Sequence, residues 1–476
     1  MEKERFYITT TLAYVNADLH IGHAAEFIRA DILARYKKAM GFDVLLNTGT
    51  DEHGQKILNS AEEKGVKVQE FVDNQVIRFK EQVQKMGMDY TNLIRTTDEH
   101  HKQSAQEFWK KCEANGDIYK KNYKIKYCVG CELEKTDSEL VNGECPLHPG
   151  KKIEEIEEEN YFFRFSKYQN ALLELYKNNP EFVVPDFRLK EISKFVEGGL
   201  QDFSISRLKE KMPWGVPVPG DEKHVMYVWF DALENYISTI GWPDDMEKFE
   251  KYWPVFQVCG KDNLRQQSAM WQAMLMSAGL EPSKQIHVFG FIITGGQKMS
   301  KSIGNVINPL DIVSEYGTDA LRYYVASHVN MYEDSDMTME KFKEVYNADL
   351  ANGLGNLVSR VMKMVENYEV KFEPENFELN KQTEFIEFMD NFKLNEAINS
   401  IWQKMKLIDG KIQEEEPFKV AKEDLPKAQE MVGNYLNGLW EIANLVEIFI
   451  PETAQKIQIL IRENKSPEEP LFLRKG

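Results

Sequence analysis

Two apolar rhythms alternate along the first fifty residues. Residues 5–10 (RFYITT) form a short β-branched and aromatic run, and a polar turn follows through Asn16 and Asp18. From His20 onward Ala24, Ile28, Ile32 and Tyr36 recur at steps of four, Lys37 and Lys38 follow, and the pattern stops at Gly41. That spacing predicts a helix with cations at its carboxyl end and a glycine stop. Residues 42–49 (FDVLLNTG) read as a buried strand, which completes a right-handed βαβ unit in a parallel sheet.

The same grammar returns late, as a strand at 252–260 (YWPVFQVCG), a helix at 263–279 and a strand at 285–293 (QIHVFGFII). An α/β sheet split by an insertion is the expected consequence. After about residue 325 the strand signals fade, and Leu350, Leu354, Leu357, Val361 and Val365 fall on a three-and-four spacing that predicts a helical bundle. The expected division is 1–115 and 226–325 for the halves of a Rossmann-type domain, 116–225 for the insertion, and 326–476 for a junction and helical domain. No internal repeat is visible, and the acidic run at 154–159 (EEIEEE) reads as a solvated face.

Composition narrows the classes. With 42% hydrophobic and 29% charged residues the chain reads as an ordinary soluble globular protein, and its formal charge of −18 argues against a protein that grips nucleic acid by bulk electrostatics. No signal-type apolar segment opens it, and no window approaches the roughly 18 apolar residues of a membrane span, so a cytoplasmic protein is expected.

Cysteines fall at 112, 128, 131, 145 and 259. Cys128-x2-Cys131 followed by Cys145-x2-His148 offers two short chelate pairs, which together make a closed tetrahedral zinc site of structural type. The alternatives are chance cysteines or a metal-free knuckle; Cys112 and Cys259 read as buried thiols.

Two polar motifs flank the predicted sheet. His20 and His23 stand three apart where the first strand passes into its helix, so both imidazoles lie on one side of the first turn, at the crevice of an open α/β sheet. Gly22 between them lets a flat base approach the backbone. Such a pair can donate to phosphate oxygens as neutral groups, or could ligate a metal. At the other end, the segment 295–305 (GGQKMSKSIGN) puts Lys298 and Lys301 on a glycine-led loop, where ammonium groups could meet a polyphosphate or simply face solvent.

Together, His20-Ile21-Gly22-His23 and Lys298-Met299-Ser300-Lys301-Ser302 resemble the HIGH and KMSKS signatures of class I aminoacyl-tRNA synthetases. The resemblance implies ATP bound by His20, Gly22, His23, Lys298, Ser300 and Lys301, with Mg2+ on the phosphates and catalysis by positioning and charge. The segments 11–16 (TLAYVN), 50–54 (TDEHG), 227–237 (YVWFDALENYI) and 260–262 (GKD) are similar to pocket segments of methionyl-tRNA synthetases, although a core strand would also explain 227–237. By that resemblance Asp51 holds the substrate ammonium, Tyr14 and Asp262 frame it and the ribose, and Leu12, Trp229, Ala232, Tyr236 and Trp271 wall the thioether of L-methionine. The family usually has Phe-His after GKD, where this chain has Gln266-Gln267, and prolines are common where Ala13 and Leu233 stand. Gln267 is expected to hydrogen-bond Tyr236 but cannot titrate.

The cysteine cluster matches the Cys3His knuckle of the same family. In the helical region Asn356 and Arg360, one turn apart, stand where the family reads a CAU anticodon, and Phe418 stands where it stacks a Trp on an anticodon base. A polar helix stripe would account for Asn356 and Arg360 equally. The expected activity is ATP-dependent formation of methionyl-adenylate and transfer to tRNA(Met) by a monomer. The rivals are a class I synthetase for another amino acid and a tRNA-binding descendant without catalysis.

Overall fold

The computed structural model of the chain describes residues 3–130, 133–135, 139–299, 305–374 and 376–476, with the backbone alone at Ile125, Leu133, Glu134, Ile156 and Lys298. Its centre is a parallel sheet in the order Ala13–Tyr14, Asp43–Asp51, Arg5–Thr9, Phe256–Gly260, Gln285–Phe289 and Val183–Val184, with Asn92–Arg95 also paired to Asp43–Asp51. Ile8 lies beside both Leu46 and Phe256, so the first strand joins the two halves of the split sheet. The helix Ile21–Ala39 packs Ala24, Ile28, Ile32 and Tyr36 into the core, and Gly41 leaves it at φ +92°, a region only glycine enters freely.

The insertion is built on a long antiparallel pair, Ile118–Cys128 against Ile153–Phe163, flanked by Leu133–Lys135 and Phe203–Ser204. The acidic run is one of these strands. Its glutamates stand opposite a lysine-rich strand, Lys126 against Glu155 and Lys124 against Glu157, and cross-strand charge pairing stabilises the ladder. The region expected as one insertion also returns to the main sheet midway, where Val183–Val184 extends its edge beside Gln285–Phe289.

Two further segments differ from their sequence patterns. Residues 285–293 are not one strand: the chain leaves the parallel sheet at Gly290 and Phe291, and Ile292–Thr294 pairs instead with Gln297–Lys298 and Ser335–Asp336. A Cβ on Gly290 would lie 2.2 Å from the Glu333 carbonyl oxygen, so this exit depends on a bare backbone. The aromatic segment 227–237 forms the short helices Val228–Ala232 and Asn235–Ser238 rather than a strand.

Beyond residue 338 the chain is helical, with Asn356–Asn367, Leu394–Glu415, Leu425–Val446 and Pro451–Glu463 as the main bundle. Arg322 ties this bundle to the sheet domain. Fully buried, it donates from Nη2 to Asp31 on the first helix at 2.6 Å and from Nε to the Phe449 carbonyl at 2.7 Å. A buried pair of this kind fixes geometry more than it adds stability, because the desolvation of both charges opposes their attraction. The architecture is thus a split Rossmann-type sheet with an inserted domain and a carboxyl-terminal all-α bundle.

Candidate active site

The central parallel strands each deliver a residue to one cavity from their carboxyl ends: Thr11 and Leu12 after the first, Asp51, Gly260, and Phe289 with Gly290. Open α/β sheets bind their ligands at this edge. The cavity measures about 310 Å³ and also reaches His20, Gly22 and His23 on one side and Trp229, Ala232 and Tyr236 on the other.

The histidines cap their own helix. His20 is the N-cap, and its Nδ1 accepts the backbone N–H groups of Gly22 at 3.1 Å and His23 at 3.4 Å. His23 Nδ1 accepts the His20 N–H at 3.3 Å in return. This reciprocal box satisfies helix-end donors that would otherwise be orphaned. It has a chemical consequence: with both Nδ1 atoms accepting, the neutral rings carry their protons on Nε2 and can only donate there. The rings stack at 3.8 Å, and burial, reinforced by the His20 ring, pushes the His23 imidazole down to about 3. Gly22 serves the cap too, since a Cβ there would lie 2.9 Å from His20 Cε1.

On the aromatic side, Tyr14, Asp51, Trp229, Ala232, Tyr236, Asp262 and Gln267 all line the cavity with Leu12. Trp271 does not: fully buried, its ring lies behind Tyr236 at 6.0 Å between centroids. Tyr14 donates to the His53 carbonyl at 2.6 Å, and His53 Nδ1 pairs with Asp231 at 2.6 Å. Burial works against the Asp231 carboxylate, yet His53 and His101 hold it at about 2. Arg95 grips Glu52 with two 2.8 Å bonds, fixing the loop that follows Asp51. Gln267 Nε2 donates to Tyr236 at 2.6 Å.

Several cavity residues carry no motif signal. Glu26 accepts from the Thr11 N–H at 2.7 Å and its hydroxyl at 2.6 Å, holding the turn after the first strand. Burial raises this carboxyl to about 7 despite those bonds. Arg29 lies under Phe289 at 5.0 Å and donates to the carbonyls of Val329 and Asn330. Glu26 follows His23 by three residues and Arg29 follows Glu26 by three, and that spacing was the one clue the sequence offered. Lys298 stands opposite Ile293 in the hairpin beside the cavity, and Met299 lines it; Ser300 and Lys301 lie outside the described residues.

Away from the cavity, Cys128, Cys145 and His148 bring their ligand atoms within 4.8 Å of one another, with His148 Nδ1 at 3.9 Å from each sulfur. Tetrahedral zinc needs ligand atoms roughly 3.5 Å apart, so a metal fits between them with little contraction. Gly130 makes this approach possible, because a Cβ there would overlap His148 at 2.4 Å. Cys131 falls outside the described residues. In the bundle Asn356 is exposed, Arg360 pairs with Asp409 at 3.0 Å, and Phe418 is 52% exposed.

A split parallel sheet with a histidine-capped helix at its crevice and a hairpin that leads into the second motif at Lys298 is the arrangement of a class I aminoacyl-tRNA synthetase. The family model for tRNA synthetases class I (M) matches residues 6–155 and 138–362. A methionine–tRNA ligase of Thermotoga maritima is 40% identical across 98% of this chain and 76% of its own length, and one of Brucella suis is 39% identical across 96% and 92%. Among solved structures, a Mycobacterium tuberculosis methionyl-tRNA synthetase in complex with methionyl-adenylate matches with a TM-score of 0.91 at 33% identity, covering 99% of this chain and 100% of that one. Its apo form matches with a TM-score of 0.83 at 30% identity, covering 100% and 99%. The chain belongs to the methionyl branch of the class I tRNA synthetases.

Proposed function

We propose that the chain activates L-methionine with ATP to methionyl-adenylate and transfers the methionyl group to tRNA(Met). The observation that carries this reading is one cavity in which two neutral histidine donors face an aromatic pocket closed by Tyr236, Trp229 and Asp51. Methionine enters with its ammonium on Asp51 and its thioether against the Tyr236 and Trp229 rings, contacts that suit a polarizable sulfur. Its carboxylate attacks the α-phosphorus of ATP in line, a bond forms from carboxylate oxygen to phosphorus, and pyrophosphate leaves. His20 and His23 donate from Nε2 to the phosphate oxygens as charge shifts onto them, and Lys298 and Lys301 neutralise the leaving pyrophosphate. Mg2+ bound with ATP supplies further positive charge on the phosphates. A terminal ribose hydroxyl of tRNA then attacks the adenylate carbonyl and AMP departs.

Cys128, Cys131, Cys145 and His148 hold one structural Zn2+ that shapes the arm of the insertion, and Asn356, Arg360 and Phe418 meet the anticodon. For Arg360 this means exchanging Asp409 for a base. The division into 1–115, 116–225, 226–325 and 326–476 describes these working parts, with Val183–Val184 lent back to the sheet. The protein works as a cytoplasmic monomer, and sedimentation as a dimer at micromolar concentration would contradict that. The deciding experiment is ATP–pyrophosphate exchange against each standard amino acid, with and without Lys298→Ala. Exchange with methionine alone, lost in the variant, is expected; exchange with leucine, valine or cysteine would move the chain to another specificity, and tRNA binding without any exchange would favour the non-catalytic reading.

A further inference from the structure

Tyr236 ends a chain of hydrogen bonds that runs from the main chain to the cavity. Its hydroxyl oxygen accepts from Gln267 Nε2 at 2.6 Å, and Gln267 Oε1 accepts from Gln257 Nε2 at 2.8 Å. Gln257 Oε1 accepts from the Ser283 hydroxyl. That hydroxyl accepts from Gln272 Nε2 at 3.1 Å. Gln272 closes the chain on the backbone, with its Oε1 accepting the Ser283 N–H at 3.0 Å and its Nε2 donating to the Gln267 carbonyl at 2.8 Å. All five side chains are buried.

An isolated glutamine can present either end of its amide to a neighbour. These glutamines have no such choice. A backbone N–H only donates and a backbone carbonyl only accepts, so Gln272 is fixed in one orientation. Its Nε2 faces the Ser283 oxygen, and the buried serine proton goes to Gln257 Oε1, its one acceptor among the described residues. Gln257 must then offer Nε2 to Gln267, and Gln267 must offer Nε2 to Tyr236. The phenolic oxygen is an acceptor in this chain, and its own proton is directed elsewhere. Among the described residues none accepts it, and Tyr236 lines the cavity. Reversing any one link would leave two buried donors or two buried acceptors face to face, which is costly.

We infer that this one-way relay makes Tyr236 an obligate proton donor into the amino-acid end of the cavity, with Gln257 and Ser283 as positioning residues for specificity. The relay favours a substrate with an acceptor atom at the thioether position over its all-carbon isostere, which leaves the hydroxyl proton unpaired. The inference rests on the methionine reading of the pocket. Neither Gln257 nor Ser283 lines the cavity, so their influence on the substrate passes through Gln267 and Tyr236.

The test compares methionine with norleucine, which carries a methylene in place of sulfur, by kcat/KM for pyrophosphate exchange in the wild type, Gln257→Met and Ser283→Ala. Both amino acids are read on the same preparation, so a loss of folded protein cancels in their ratio. The expected result is a preference for methionine in the wild type that falls about tenfold in Gln257→Met and by about threefold in Ser283→Ala. The fall comes from a raised KM for methionine, with the norleucine constants unmoved. A purely structural role for Gln257 would lower both amino acids together, and a ratio unchanged in Gln257→Met would overturn the relay while leaving the activity standing. No exchange with methionine in the wild type would overturn the functional reading, and the relay's purpose with it.

Discussion

The two ends of the cavity present neutral hydrogen-bond donors by opposite means. At the histidine end, four consecutive residues suffice: His20 and His23 accept each other's backbone N–H groups, and the helix start they cap holds both rings. At the aromatic end one hydroxyl is aimed by Gln267, Gln257, Ser283 and Gln272, which come from a helix, a strand and a loop. The local device is built from helix-capping groups, so under the proposed mechanism its removal affects folding and chemistry together. The distributed device can be altered at its far end without touching the substrate.

Separating the two jobs of His20 is the sharpest way to break this comparison, with the largest expected effect. In His20→Ala both the cap and the Nε2 donor are lost, whereas His20→Asn keeps an N-cap acceptor. Exchange is expected to fall about 100- to 1000-fold in kcat for both variants, as for loss of one preorganised donor to a transition-state oxygen. Only the alanine variant should also lose about 1 kcal/mol of stability in melting experiments. If the asparagine variant kept its kcat, capping alone would be the role of His20.

Glu26 sharpens the comparison from between the two ends, where it holds the turn at Thr11. Burial raises its carboxyl from 4.5 to about 7, so the folded chain keeps a proton that the unfolded chain releases. The stability this group contributes is present below pH 4.5 and is lost as pH rises through 7. Glu26→Gln, which keeps the acceptor for Thr11, should therefore gain on the wild type between pH 4.5 and 7 and hold a constant advantage above, of at most about 3 kcal/mol. Denaturant melts of both proteins at pH 5 and pH 8 check the sign; an advantage larger at pH 5 would contradict it.

The smallest effect lies farthest from the cavity. Phe418→Ala should lower kcat/KM for aminoacylation about tenfold through lost base stacking and leave pyrophosphate exchange unchanged. A fall in exchange would mean that the bundle acts on the cavity itself.

The same contrast explains what could be read from the sequence. The helix at Ile21–Ala39, the strands around it and the histidine pair are local patterns whose spacing survives in the chain. The approach of Cys128, Cys145 and His148 was legible for the same reason, as short chelate spacing. Gln257 and Ser283 carried no signal, because each looks like an ordinary buried or loop residue until the fold sets them 26 positions apart yet in contact. The short helices at 228–238 were hidden by an aromatic run that is buried at every position except Trp229 and so has no period. Val183–Val184 is too short to show alternation, and only its register beside Ile286 and His287 reveals it as part of the main sheet.

The most direct measurement is to incubate the protein with ATP, Mg2+ and an equimolar mixture of the standard amino acids, remove free ligands, and identify the retained adenylate by mass spectrometry. Methionyl-adenylate alone is the predicted result. Retention of any other aminoacyl-adenylate in its place, or of none by protein that binds ATP, would contradict the account.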